Sequence, residues 1–467
     1  MTAVPTESSW RTQRRRLLPA ATIGTVLEWY DMFVYAQAAS LIFAKLFFPD
    51  IDPVLGTLAS LATFGVGYVA RPLGAIVFGY VGDRFGRKVA LSATLILMGV
   101  ATTLIGVLPT YATAGLVAPI LLVILRLAQG LGSGAEYSGS FVMIAEITPP
   151  KSRGFWTAVP GTGVYGGIVL ATLVGLTVFR LPDDQLYSWG WRLPFLVSFV
   201  LIVIGIIMRL RITESPVFKQ FQERKARHTV PALAVLKKSP LTLVLAIFLT
   251  APIAFNAYMS STYALNYGVE HGVSTTGVLI GALLGAMAAL VCTLIAGKLS
   301  DRFGRRAVFI TMTAIGAVGT LPYFLLLGAG SDGSYWIAQA FIMAPFTQAL
   351  TGAQAAFLAE LFKPEFRYTG VAMSREFCTA IFTSIAPIAG LALVTANGGQ
   401  PWLLAGVMSV VSLLGLIAAV LLPETRGVDM TEGAATQTSI QADSNDPDVV
   451  SGDADAAAAE ATAEEKR

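Results

Sequence analysis

The chain has 467 residues, 55% of them hydrophobic and only 13% charged, and its mean hydropathy is +0.67. A soluble chain carries about 25% charged residues and needs them to cover its surface, so a soluble enzyme is excluded. The two cysteines, Cys292 and Cys378, both lie in apolar runs, which excludes a disulfide-stapled secreted domain, and the net charge of +3 is informative only once the charges are placed along the chain.

Positions 1–16 form a basic N-terminus with Arg11, Arg14, Arg15 and Arg16. Twelve apolar runs follow, at 17–44, 56–80, 89–109, 115–140, 156–179, 193–212, 241–267, 275–297, 307–328, 335–359, 369–394 and 402–422. Each approaches or exceeds the roughly 20 residues that a helix needs to cross a bilayer. They lack the alternation of barrel strands, so an all-α membrane protein of twelve transmembrane helices is expected. The first run is too long for a cleaved leader and holds Glu28 and Asp31, so it reads as a span.

The longest hydrophilic segment, 213–240, divides the spans into bundles at 17–212 and 241–427, and 428–467 is expected to be a disordered acidic tail. With the N-terminus inside, 26 of the 32 Lys and Arg are cytoplasmic, and only Lys45, Arg180 and Arg192 lie outside. That bias predicts a multi-pass protein of the cell membrane with both termini in the cytoplasm.

An internal repeat supports the division. Gly79-Tyr-Val-Gly-Asp83-Arg84-Phe-Gly86-Arg87-Lys88 returns as Gly297-Lys-Leu-Ser-Asp301-Arg302-Phe-Gly304-Arg305-Arg306, 218 residues later. Ala145-Glu146 with Arg153 returns as Ala359-Glu360 with Arg367, and Thr213-Glu214 is answered by Glu424-Thr425. The chain therefore reads as two homologous six-helix halves.

These loops, together with Arg126-Leu-Ala-Gln129-Gly130-Leu-Gly132 and Pro423-Glu424-Thr425-Arg426-Gly427, resemble the signatures of the major facilitator superfamily. Within it, Glu28-Trp29-Tyr30-Asp31, Phe47-Phe48-Pro49, Ala70-Arg71-Pro72-Leu73-Gly74 and Glu136-Tyr137 resemble the metabolite:proton symporter family. One departure is Gly132-Ser133-Gly134-Ala135-Glu136-Tyr137, where the family has Gly-Gly-Glu-Trp. The resemblance implies the major facilitator fold, two bundles rocking about a central site. It also implies import of a small organic acid or zwitterion by proton symport, with relatives carrying di- and tricarboxylates, shikimate-like or aromatic acids, betaine or proline.

Ionisable residues inside spans are the best pointers to the site, because each costs about 2.5–3.5 kcal/mol to insert. Glu28 and Asp31 share a helical face, and Arg71 reaches a similar depth, about 18 Å from the charged cytoplasmic residues by helical rise. Glu136 comes to about 15 Å. Glu28, Asp31 and Glu136 outnumber Arg71 and Arg126 in this half, so one acid has no cation to itself and can carry the coupling proton. Asp31 is preferred to Glu136 for that role, and a static salt-bridge network is the alternative.

Arg71, Arg126 and Arg375 are the candidate holders of an anionic substrate, since a guanidinium grips a carboxylate with two parallel hydrogen bonds. Arg71 is the preferred one; Arg375 stands beside Glu376, where simple neutralisation is the alternative. Polar residues cluster in span seven as Asn256, Tyr258, Ser260, Ser261, Tyr263, Asn266 and Tyr267, and are expected to line the cavity. Tyr30, Tyr35, Gln129, Tyr165, Gln339 and Gln348 are weaker candidates, and Trp189, Trp191 and Trp402 read as interfacial markers. The loop residues Gly79, Asp83, Arg84, Gly86, Arg87, Asp301, Arg302, Gly304 and Arg305 are expected to form a cytoplasmic latch that stabilises the outward-open state.

No cofactor is expected. Nothing resembles a phosphate-binding G-x-x-x-x-G-K-[ST], so the drive is the proton gradient, and His228 and His271 fall on opposite sides of the membrane, which leaves no metal set. The partners expected are a small organic acid or zwitterion, protons and the lipid bilayer, with no nucleic acid, and the chain is taken as a monomer by default. A proton-coupled exporter and a solute receptor that does not transport remain as alternatives.

Overall fold

A computed structural model describes residues 7–178, 180–210 and 231–430. The described residues contain no strand and form twelve long helical segments. The first half comprises α1 (Glu7–Leu41), α2 (Pro53–Phe85), α3 (Arg87–Gly106), α4 (Val117–Ser133, resuming as Glu136–Ile147), α5 (Arg153–Val178) and α6 (Leu193–Leu210). The second comprises α7 (Pro240–Tyr258, then a π-helical turn Met259–Tyr263 and Ala264–Glu270), α8 (Thr275–Phe303) and α9 (Arg305–Leu327). It continues with α10 (Asp332–Ile337, a π-helical stretch Ala338–Gln348 and Leu350–Leu361), α11 (Arg367–Cys378, Thr379–Thr383 in π form, Ser384–Ala396) and α12 (Trp402–Leu421).

Among the described residues nine segments are long and apolar enough to cross a membrane on those grounds alone. The other three are α1, α10 and α11. α1 carries a basic start plus Glu28 and Asp31, and α11 carries Arg375 and Glu376 and, like α10, is divided by a π-helical stretch. Such interruptions recur at functional sites, where they re-aim side chains. The outward faces are apolar, with Val69, Leu73, Ile120, Val318 and Phe341 exposed, as a surface against lipid requires.

Each half packs around its own helices, α1 with α5 and α3 with α6 in the first, α9 and α7 with α12 in the second. The halves meet where α2 lies against α11 and α5 against α8. Small residues allow such crossings: a Cβ on Gly163 or Gly167 of α5 would stand 2.7 Å from the carbonyl oxygen of Thr22 or Val26 on α1.

The helices run past the apolar segments into the charged loops. α2 ends at Phe85 rather than 80, α4 at Ile147 rather than 140, and α8 at Phe303 rather than 297. The segment expected as loop 213–240 contains a short helix, Pro231–Lys238. Residues 211–230 lie outside the described residues, as do 431–467 of the expected tail. The tail expectation is corrected at its start, because Val428 and Met430 are buried, with Met430 packed into the core beside Ala232 and Val235. Trp191 is likewise no interfacial marker; it is buried against Phe43, Phe47 and Phe195.

Candidate functional site

The paired loops build a lock at one end of the molecule. Gly86 and Gly304 each begin the helix that follows, with φ of 116° and 100°, a conformation that L side chains rarely adopt. The turn brings Asp83, at the end of α2, across to α11 of the other half. There Asp83 accepts from the backbone N–H groups of Tyr368 (3.3 Å) and Thr369 (3.0 Å) and from Thr369 Oγ1 (2.6 Å). Asp301, at the end of α8, does the same for α5, accepting from Gly154 N (2.7 Å) and Phe155 N (2.8 Å).

Each Asp thus caps the first turn of a helix in the opposite half, where N–H groups lack intrahelical partners and the helix dipole favours an anion. Gly79 and Gly297 permit the approach, since a Cβ would stand 2.8 Å from Thr369 Oγ1 or 2.7 Å from the Gly154 carbonyl oxygen.

Ion pairs complete the lock in the same crossed pattern. Arg87 pairs with Asp83 (3.2 Å) and Glu146 (3.3 Å), and Glu146 with Arg367 of the other half (3.3 Å). Arg305 pairs with Asp301 (2.9 Å) and Glu360 (3.2 Å), and Glu360 with Arg153 (2.7 Å). The segment after α12 joins in: Glu424 accepts from the N–H groups of Arg305 and Arg306, and Arg153 and Arg367 donate to the carbonyls of Val428 and Met430. Arg84 and Arg302 take no part in the lock. Both are exposed, Arg84 against Tyr80 and Arg302 over Phe303. Their place in the expected latch is corrected, because the helix turns them outward.

About ten residues along each helix from this end lies a cavity of about 180 Å³ between the halves. Its walls are mainly aromatic and apolar (Trp29, Phe33, Phe64, Tyr68, Tyr137, Tyr165) with Arg71 and Arg375 as its charged groups. Tyr368 shuts it from the lock, donating to the Ala135 carbonyl (3.1 Å) and packing on Gly82 and Gly139.

Four charges meet at the cavity. Arg71 donates from Nε to Glu376 Oε2 (2.5 Å) and from Nη2 to Glu376 Oε1 (3.3 Å) and Glu28 Oε1 (2.7 Å). Arg375 donates to Glu376 Oε1 (3.2 Å) and stacks on Tyr137, 3.7 Å from the ring centroid. Two guanidinium and two carboxylate groups, all buried, sum to zero charge and tie α1 and α2 to α11. Three buried polar atoms beside this group, Glu28 Oε2, Trp29 Nε1 and Tyr137 Oη, have no protein partner. Such atoms are uncommon in folded proteins and fit a site that receives a ligand.

The other acids lie apart from the cavity wall. Asp31 accepts from Thr102 Oγ1 (2.8 Å) and Ser198 Oγ (2.5 Å) and forms no ion pair among the described residues. It is joined to Arg126 through hydrogen bonds from Arg126 to Gln129 (2.5 Å), from Gln129 to Thr102 (2.8 Å) and from Thr102 to Asp31. Arg126 lies behind Phe64 and Met32, under Tyr35, whose hydroxyl shares a hydrogen bond with Thr63. Glu136 is paired with Arg209 of α6 and accepts from Thr94 Oγ1 (2.7 Å). The count that left an acid of this half without a cation assigned Arg209 to the cytoplasm; the helix buries it, so Glu136 has its own cation.

Several expected cavity residues face elsewhere. Tyr30 donates to the Pro194 carbonyl inside the first half, Asn256 to Ser412 on α12, and Gln129 belongs to the chain just described. Tyr263 and Tyr267 lie in the core of the second half, Tyr267 stacked on His271, and Gln339 bonds to Ser260 and Tyr335. Density of polar residues misled here: at 100° per residue α7 turns Thr250, Ile253, Ala257 and Tyr258 to the cavity and Asn256 away from it. Gln348, Tyr165, Tyr258, Arg71 and Arg375 do line the cavity. The side chains of Ser261 and Asn266 lie outside the described residues. Glu376, Tyr68 and Tyr137 were missed as site residues, although an acid beside an in-span arginine was a legible signal for the first.

Two six-helix halves around a buried charged cavity, tied together at one end by crossed caps, are the architecture of a membrane carrier. A family model described as "Sugar (and other) transporter" matches residues 17–244, and one described as Major Facilitator Superfamily matches 286–444. The inner membrane metabolite transport protein YhjE of Escherichia coli K12 is 37% identical over 86% of this chain and 93% of its own. The shikimate transporter of the same organism is 35% identical over 83% and 89%, and the proline/betaine transporter of Salmonella typhimurium 32% identical over 91% and 87%. A solved structure of the proton:xylose symporter XylE superposes with a TM-score of 0.74 at 17% identity, covering 90% of this chain and 98% of that one. The chain belongs to the major facilitator superfamily and is a multi-pass secondary transporter of small metabolites.

Proposed function

We propose that this transporter, a member of the metabolite:proton symporter family, imports a small organic acid or zwitterion together with a proton, and that Arg71 and Arg375 hold the substrate's carboxylate. The observation that carries this reading is the neutral group Glu28–Arg71–Glu376–Arg375, which presents two guanidinium groups to an otherwise aromatic cavity. A bound monoanion leaves that group with one negative charge in a low-dielectric site, and an accompanying proton restores neutrality. The names of similar proteins, a shikimate transporter and a proline/betaine transporter, fall in the same range of substrates. We place the lock in the cytoplasm with both termini, so the end it closes is the inward one, and the membrane potential adds about 2.3 kcal/mol per excess proton per 100 mV to accumulation.

Uptake of radiolabelled carboxylic acids and betaines by proteoliposomes with an alkaline interior tests the proposal. Accumulation of one of them that collapses with a protonophore is expected. Accumulation indifferent to the protonophore refutes symport, proton-driven extrusion points to an exporter, and binding without movement points to a receptor.

A further inference from the structure

Glu376 holds the guanidinium donors that a substrate carboxylate would take. It takes Arg71, across the junction of the halves, side-on through two hydrogen bonds, and Arg375 of its own helix through a third. Both guanidinium groups line the cavity, whereas the Glu376 carboxylate is buried behind them. Among the described residues Arg71 Nη1 has only the Met32 sulfur, at 3.9 Å, so a donor is available for an incoming carboxylate. Three carboxylates against two guanidinium groups leave one buried negative charge without a counter-charge.

We propose that Glu376 is a built-in carboxylate that the substrate's own carboxylate displaces from Arg71 and Arg375, and that Glu376 takes up the coupling proton as it leaves. The inference rests on the anion-carrier reading above. The step balances: a proton drawn from the bathing solution and its buffer binds a Glu376 oxygen, the Glu376–Arg71 and Glu376–Arg375 hydrogen bonds break, and equivalent bonds form to the substrate. A buried carboxylate without a cation is too costly to remain charged, so displacement and protonation are one event.

The groups facing Glu376 agree with this assignment. Arg71 and Tyr68 come from α2, Glu28 from α1 beyond Arg71 and Tyr137 from α4 beneath Arg375, while Tyr258 of α7 faces Tyr68; Arg375 and Cys378 share its helix. Arg71 and Arg375 are the cations in that set, and both are the ones the substrate would claim. Release of Glu376 also cuts a direct tie between the halves at the cavity, which couples loading to rocking.

The test is calorimetric binding of benzoate and shikimate to the full chain in nanodiscs, in buffers of different ionisation enthalpy, between pH 5.5 and 8. Wild type is expected to take up one proton per probe, with affinity falling about tenfold per pH unit. Glu376→Gln is expected to take up none, to show a flat profile, and to bind about tenfold or more tighter than wild type at pH 8. Asp31→Asn, which lies outside the four-charge group, is expected to keep the slope.

Persistence of the slope in Glu376→Gln, or its loss in Asp31→Asn instead, overturns the proposal. An infrared difference spectrum of wild type adds a measurement independent of that variant's folding. Probe binding is expected to raise a protonated-carboxyl band that shifts in Glu376→Asp, and its absence overturns the proposal. If no carboxylate binds wild type or Glu376→Gln, the anion-carrier reading falls with it. If the slope behaves as expected but vesicles accumulate nothing, only the transport reading falls.

Discussion

Removing the Asp83 side chain should unlock one end of the molecule by an amount the structure sets. Asp83→Ala deletes the cap on α11 and the bond from Thr369 Oγ1 (2.6 Å), and leaves Arg87 with Glu146 as its remaining acid partner in the lock. A lost N-cap costs about 1 kcal/mol and a buried hydrogen bond about the same, so the locked state weakens by about 2 kcal/mol relative to a state in which Asp83 is solvated. That is roughly a 30-fold shift in the ratio of the two states.

Ala372, buried with Tyr368, Ala75 and Ala135 between the halves, reports the shift once replaced by cysteine in a background of Cys292→Ala and Cys378→Ala. The rate of alkylation by a maleimide applied from the lock side should rise about 30-fold in Asp83→Ala. Asp83→Asn keeps a capping oxygen, and Asn caps about as well as Asp, so its rate should rise less than about threefold. Equal rates in Asp83→Ala and its parent would refute the crossed-cap account, and equal rises in the Ala and Asn variants would assign the effect to charge rather than to capping.

Three further outcomes follow from the same geometry. Glu136→Gln leaves Arg209 buried without its acid and should cost about 3–5 kcal/mol of stability, with Glu136→Gln/Arg209→Met recovering much of it; thermal unfolding in detergent measures both. Arg71→Lys loses the two-pronged grip and should weaken carboxylate binding about tenfold or more, whereas Asn256→Ala, whose amide faces Ser412, should leave binding within about twofold in the same titration. Gly304→Ala puts a side chain at φ 100° against Glu424 and should lower the unfolding midpoint, while Gly406→Ala, with open space around it, should not.

Much of the architecture was legible in the chain itself. Apolar runs of spanning length can only be helices in lipid, because every backbone N–H and C=O must be paired within its own segment. The repeat of the Asp-Arg loops identified two halves, and of the in-span charges of α1, α2 and α4 that were expected to converge at one level, Glu28 and Arg71 meet at the cavity while Asp31 and Glu136 lie apart from it. What only the tertiary structure decided is which charge meets which. Glu146 pairs with Arg367 and Glu360 with Arg153, so each half's acid is answered by the other half's base. Arg209, counted by sequence as cytoplasmic, is carried inside to Glu136, and Glu376 reaches Arg71 across 305 residues. Composition and spacing fix depth and helical face within one segment, but pairing between segments depends on crossing geometry and on π-helical turns that reset the phase, and neither is written in a local run of residues.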